Sequence, residues 1–398
     1  MLFAGTERTV YVAFDDGDHW QSLRLNLPAT SVRDLTIKND DLAIATHGRG
    51  FWILDDITPL RQLDDKVVAS NAHLFEPQLT YRVRWNTNTD TPLPPDVPAG
   101  QNPPDGAVLN YYLGSAASGD VTLEIFDSTG KLVRHYSSAD PVPPSDPKLP
   151  IPAYWVRPWQ KLANQPGFHR FLWDLRYPPV PGIKREYPIA AVYQDTAPAS
   201  TSPWVMPGKY KVVLAANGQK YTRELAVEMD PRVKTPLPGL QQQFNLSQQI
   251  YQDVLALQPI NDQVEKLRAQ LKAQRAKSPS PADAAKLDAF SQKLEAFAGV
   301  EDRRRRGSQQ APTLSSVRGS LFELFSVLQD VDAAPTMQTT EAVPVLHSST
   351  QGLLQQWAEI QKTDLPQLKS ELGISQLASP SEASLAPSQG ITINRDEE

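Results

Sequence analysis

Ala13-Phe14-Asp15-Asp16-Gly17-Asp18-His19-Trp20 and Asp41-Leu42-Ala43-Ile44-Ala45-Thr46-His47-Gly48-Arg49-Gly50-Phe51-Trp52-Ile53-Leu54-Asp55-Asp56 decide how the first part of this chain is read. The run Thr9 to Phe14 leads into the first stretch. It is β-branched and aromatic with rough alternation, the pattern of a strand. Asp15 to Asp18 is a turn, with Gly17 supplying a positive φ. His19 to Leu23 returns as the partner strand. Val32 to Lys38, Leu42 to Thr46 and Phe51 to Leu54 follow, separated by Asn39-Asp40-Asp41 and Gly48-Arg49-Gly50. Met1 to Arg8 lacks a basic segment followed by an apolar one, so it is no signal peptide and reads as part of a strand. Short strands with tight turns at this spacing suit barrels, sandwiches or propellers.

Asp15, Gly17 and Trp20 fit the Asp-box pattern Ser/Thr-x-Asp-x-Gly-x-x-Trp, with Ala13 in place of the hydroxyl residue. In such a turn the Asp carboxylate accepts backbone N–H groups, the Gly takes the left-handed position, and the Trp anchors the hairpin between blades. With the Asp41–Asp56 stretch, the chain resembles the C-terminal portion of large bacterial BNR/Asp-box repeat proteins. These are β-propellers labelled sortilin-like or sialidase-like glycosyl hydrolases. Propeller blades have four strands and run roughly 40–50 residues each, and a propeller has about 4–8 of them. Residues 1–75 are therefore expected to be an incomplete propeller of one to two blades, with further blades upstream. Its strand edges would be open. The resemblance implies an extracellular or periplasmic location.

Outward from that segment, residues 76–105 read as a connector, with Thr91 to Pro104 dense in proline. The chain holds 36 Pro in 398 residues, about 9% against a usual ~5%. Residues 106–232 then carry seven or so strands: Ala107–Leu113, Val121–Phe126, Leu132–Tyr136, Gly167–Leu175, Met206–Leu214 and Lys220–Val227 are the clearest. Turn signals at Asp127-Ser128-Thr129-Gly130 and Asn217-Gly218 join two hairpins. This suits an Ig-like β-sandwich, and the G-x-H-x-F-x-W-D and P-G-x-Y-x-V strings resemble FlgD or fibronectin-like modules of secreted bacterial proteins. Residues 238–372 read as a helical bundle, because apolar residues recur at helical spacing in four or five segments. Pro259 is expected to kink or split the first of them, and Ser278-Pro279-Ser280-Pro281 to break the chain between helices. Residues 373–398 have the composition of a disordered tail. The fold class is thus multidomain β plus α: partial propeller blades, an Ig-like or FlgD-like sandwich, and a C-terminal helical bundle.

Chemistry is scarce in the sequence. There is no Cys, which removes thiolate metal sites, disulfides and Cys nucleophiles together. A net charge of −6 argues against nucleic acid as a partner, and no apolar run reaches the length of a membrane span. Asp15, Asp16 and Asp18 do not follow the EF-hand spacing. None of the six His falls in a metal-binding pattern, and no Gly-rich phosphate loop or nucleophile elbow is present. No cofactor and no metal is expected. Arg303 to Arg306 form one basic run, read as a solvated loop. The weak surface candidates are His47 and Arg49, on a Gly-flanked turn that could line a propeller face. Trp155 and Trp159 join them, on a Pro-rich loop where a ring could stack on a sugar. Trp173 and Trp204 belong more naturally to a core. Glycoside hydrolysis needs facing carboxylates or a sialidase arginine cluster, which the resemblance places in the upstream blades. The sequence reading is therefore a non-catalytic interaction or scaffold region of an exported protein, with a protein or glycan ligand and the upstream blades as partners. The alternative is the accessory C-terminal part of a sialidase-like glycoside hydrolase.

Overall fold

In a computed structural model of the chain, the described residues are 1–84, 103–144, 148–188, 194–277, 280–299 and 311–373. The basic run at Arg303–Arg306, the tail beyond residue 373 and most of the Thr91–Pro104 stretch lie outside them. The chain is mixed β plus α, with several sheets followed by a helical region. It divides into two units: Met1–Pro179 with Arg185–Pro236, and Val180–Lys184 with the chain from Leu237 onward.

The first unit begins with two small antiparallel sheets. Strands β1 (Leu2–Gly5), β2 (Val10–Ala13) and β3 (Gln21–Ser22) form one in that order. Strands β4 (Val32–Lys38), β5 (Asp41–Thr46) and β6 (Phe51–Leu54) form the other. Val10, Leu27, Leu42, Ile44 and Ile57 are buried together between them. Two short helices follow, α1 (Thr58–Gln62) and α2 (Asp65–Val68). Asp64 caps the second by accepting the Val67 backbone N–H.

Next come β7 (Ala72–Leu74), β8 (Thr80–Arg82), β9 (Ala107–Leu113), β10 (Thr122–Phe126), β11 (Leu132–Ser137), β12 (Gly167–Trp173), β13 (Gly208–Ala216) and β14 (Gln219–Met229). They make a five-stranded sheet of order β11-β10-β13-β14-β8 and a three-stranded sheet of order β12-β9-β7. The pairs are antiparallel except for β14 with β8, which is parallel. One apolar core joins the two sheets. Leu109, Tyr111, Leu113, Phe171 and Trp173 enter it from the smaller sheet, and Leu123, Ile125, Val212, Leu214 and Leu225 from the larger. Each such side chain, fully buried, contributes about 1.5–3 kcal/mol relative to exposure. Strands β7 and β8 belong to these sheets although they precede residue 106, where sequence patterning begins the sandwich. Each is only three residues long, too short for alternation to show.

Gly106 shows how closely the chain packs at the start of β9. Its φ is +122°, and a Cβ there would lie 2.1 Å from the Trp173 carbonyl oxygen. Only glycine fits.

The second unit is built on α3 (Leu237–Lys277), followed by α4 (Pro281–Ala298), α5 (Leu314–Asp330), α6 (Met337–Glu359) and α7 (Leu365–Leu372). The helix α3 touches α4, α5 and α6. It runs unbroken through Pro259, so the expected split does not occur there. Pro259 sits on the exposed side of the helix, so the carbonyl it leaves without an N–H partner can be hydrated. Likewise α6 passes through the exposed Pro344. A π-helical turn at Ile360–Asp364 leads into α7, whose second residue is Pro366. The missing proline N–H widens the turn there.

Candidate functional site

The hairpin of Asp15, Gly17 and Trp20 joins β2 to β3. Asp15 Oδ1 accepts the His19 backbone N–H at 3.0 Å. Its Oδ2 accepts from His19 Nδ1 at 2.6 Å. These two bonds, the backbone one first, hold the Asp15 carboxyl below the usual carboxylate range. Gly17 has φ +104°, which any side chain would strain. Trp20 lies over this turn, with its ring 3.7 Å from where a Gly17 Cβ would sit. It remains 43% exposed.

His47 and Arg49 occupy the turn between β5 and β6, and both side chains are exposed. The turn is fixed through backbone atoms. The His47 N–H donates to Ser31 O at 2.8 Å, the His47 carbonyl accepts from Thr30 Oγ1, and the Arg49 carbonyl accepts Trp52 Nε1–H at 2.9 Å. No imidazole or guanidinium contact organises it among the described residues. Trp155 ends a short helical turn beside Tyr154, edge to face at 6.0 Å. Trp159 is 47% exposed, with the Arg185 guanidinium 4.7 Å above its ring. Asp15, Gly17 and Trp20 therefore meet in one hairpin, while the four weak candidates stand apart from it and form no shared site.

No protein-family model matches the chain. No curated protein and no solved structure matches it either.

The structure brings forward groups that sequence patterning passed over. The clearest is the outer face of β4-β5-β6. Register places Ala43 opposite Ile53 and Ala45 opposite Phe51. The opposite face of the sheet carries Leu42 and Ile44 into the core. Phe51 is 86% exposed and Ile53 60% exposed. Phe51-Trp52-Ile53-Leu54 is apolar at every position, so as a strand it puts apolar side chains on both faces, but the sequence does not say which face stays uncovered.

A second group is the guanidinium layer around Trp204. Arg176 stacks on one indole at 4.0 Å and Arg84 lies 5.5 Å from the same ring. Arg176 and Arg82 donate to the carbonyls of Ser202 and Val205. Burial pulls the Arg176 guanidinium down to about 9, against the carboxylate of Asp174, so it remains a cation at neutral pH. Burial pushes the Asp174 carboxyl up, opposed by Arg134 and Arg176. Arg157 bridges Asp105 at 3.0 Å and Asp195 at 2.7 Å. These charges sit paired with acids, carbonyls and an aromatic face, an arrangement that holds loops onto the sheets.

An open groove of about 560 Å³ lies beside α1, α2 and β14, lined by Arg61, Asp64, His73, Glu76, Arg223 and Glu224 among others. Arg61 is paired with Asp40 and Glu224 with Lys209. Burial, then Arg223, keeps the His73 imidazole below its usual value. The groove mixes both signs of charge and presents no nucleophile held by a base. Among the described residues no three His, Asp or Glu are grouped to hold a metal ion, and no helix is long and apolar enough to cross a membrane.

Proposed function

We propose that this chain is a non-catalytic interaction region of an exported BNR/Asp-box propeller protein, in which an adjoining blade covers the outer face of β4-β5-β6. One observation carries the reading: Phe51 and Ile53 stand almost bare on a sheet whose other face is already in a core. Exposed apolar patches of this kind mark contact surfaces, and propeller blades stack sheet on sheet. The Asp15–His19 hairpin next door supports it, because its hydrogen bonds are those the Asp-box turn requires. In this reading the two-sheet part is an Ig-like module, the helical part is scaffold, and the location is extracellular or periplasmic.

The DNA preceding Met1 tests the proposal. In-frame sequence for further Asp-box hairpins is expected. A dye on Ile53→Cys, free of competing thiols in a chain without Cys, is then shielded in the longer product and exposed in this one. Unrelated sequence behind a stop codon, or a dye equally exposed in both products, overturns it. A panel of fluorogenic glycosides should show no turnover by this chain.

A further inference from the structure

The helix α3 carries more polar residues on its buried sides than a bundle core needs. Asp253 is the most demanding of them. The residue is 3% exposed. Its Oδ1 accepts from His347 Nδ1 of α6 at 2.8 Å. Gln249, one turn earlier, places its side-chain amide 3.0 Å from the same ring nitrogen. The second carboxylate oxygen, Oδ2, is buried with no hydrogen-bond partner. Among the described residues, His347 is the one titratable group acting on Asp253, and neither α4 nor α5, which also pack on α3, sets a charge against it. The His347 side chain is partly open to solvent, so protons reach the pair.

We propose that Asp253 and His347 form a proton-linked latch, which holds α6 against α3 while the pair keeps its extra proton and loosens when that proton is lost. With the proton, the pair is either an imidazolium on a carboxylate or a neutral acid beside a neutral ring. Without it, a buried carboxylate keeps only the neutral His347 N–H and a long contact from the Gln249 amide at 3.5 Å, both on Oδ1, with Oδ2 unpartnered, a costly arrangement. The sign follows from linkage. Burial raises the Asp253 carboxyl above its unfolded value, against the pull of His347. The folded pair therefore holds protons that the unfolded chain releases. Stability is present below the ordinary carboxylate range and is lost as pH rises through the pair's titration.

The test is thermal unfolding of the full chain, followed by its helix signal, at about pH 4, within the ordinary carboxylate range, and at about pH 8, well above it. The helix transition of the wild-type chain should fall by a few degrees at the higher pH. Asp253→Asn, which keeps the shape and removes the charge, should flatten that fall, as should His347→Gln. A pH dependence in Asp253→Asn equal to that of the wild type overturns the latch. So does an equal loss at both pH values in His347→Gln, which would make the contact structural alone. If Asp253→Asn does not fold, His347→Gln decides.

Discussion

Asn110 donates its side-chain amide to the Asp56 carboxylate at 2.7 Å, and both residues are buried although 54 positions separate them. This bond lies on the back of β9, on the face opposite Leu109 and Tyr111. Arg170 of β12 closes the arrangement. It reaches Asn110 Oδ1 at 3.3 Å and the Asp55 carbonyl at 2.8 Å. Asp56 in turn accepts from Thr58 and donates its own backbone N–H to Asp41 Oδ1 at 2.9 Å. The N-terminal sheets are thus fastened to the smaller sheet of the two-sheet part through polar side chains. Replacing Asn110 by Leu should cost about 1–3 kcal/mol in urea unfolding, because the Asp56 carboxylate then stays buried and loses a partner. Replacing an exposed polar residue such as Thr36 should cost far less.

The Asp15–His19 hairpin should respond to acid. His19 holds the Asp15 carboxyl low, so its contribution is present above the ordinary carboxylate range and is lost as pH falls through the depressed value. Carbon-detected NMR titration should find Asp15 protonating later than exposed carboxylates as acid is added, and His19→Ala should remove part of that difference. Gly17→Ala should cost roughly 1–2 kcal/mol in thermal unfolding, since φ +104° is strained for any residue with a Cβ.

The bare face of β4-β5-β6 separates stability from binding. Phe51→Ser together with Ile53→Thr removes side chains that touch little. Unfolding free energy should stay within about 0.5 kcal/mol of the wild type. Fluorescence of a hydrophobic dye on the folded chain should drop. A large loss of stability would mean that the two side chains are packed in solution.

Arg176 faces Asp174 inside the guanidinium layer. Arg176→Ala should cost about 3–5 kcal/mol, because it leaves a buried carboxylate less compensated. Burial already raises the Asp174 carboxyl. The deficit should therefore shrink in acid, where Asp174 takes a proton, and grow as pH rises. Arg176→Ala with Asp174→Asn should recover much of the loss. Denaturant unfolding at two pH values checks both points.

Much of the fold was legible because it rests on period and punctuation. Val32–Lys38, Phe51–Leu54 and Ala107–Leu113 are strands over the ranges their alternation or apolar run predicts. Leu287, Phe290, Leu294 and Phe297 are all buried on α4, as their spacing implies. The first half of α6 is hard to read in the sequence because Thr339, Thr340 and Pro344 are weak helix formers. Thr336 starts it nonetheless by accepting the Thr339 N–H. The polar partners were out of reach for a different reason. Asp56 with Asn110, Asp253 with His347 and Arg176 with Trp204 are long-range pairs, and a single sequence carries no local signal for which distant side chain satisfies a buried one. The exposed pair Phe51 and Ile53 looked like any strand until the register of β5 and β6 put both on the uncovered side.

The parallel pairing of β8 with β14 has a consequence for how the chain is made. Thr80 to Arg82 align with Val227 to Met229, and Arg82 also bonds to Val205, 123 residues further along. During synthesis the residues around Thr80 leave the ribosome long before the strand they join exists. The N-terminal sheets can form early, as local hairpins do. The five-stranded sheet must wait with one margin unfilled until its last strand arrives, and that interval is when the nascent chain is most open to mispairing.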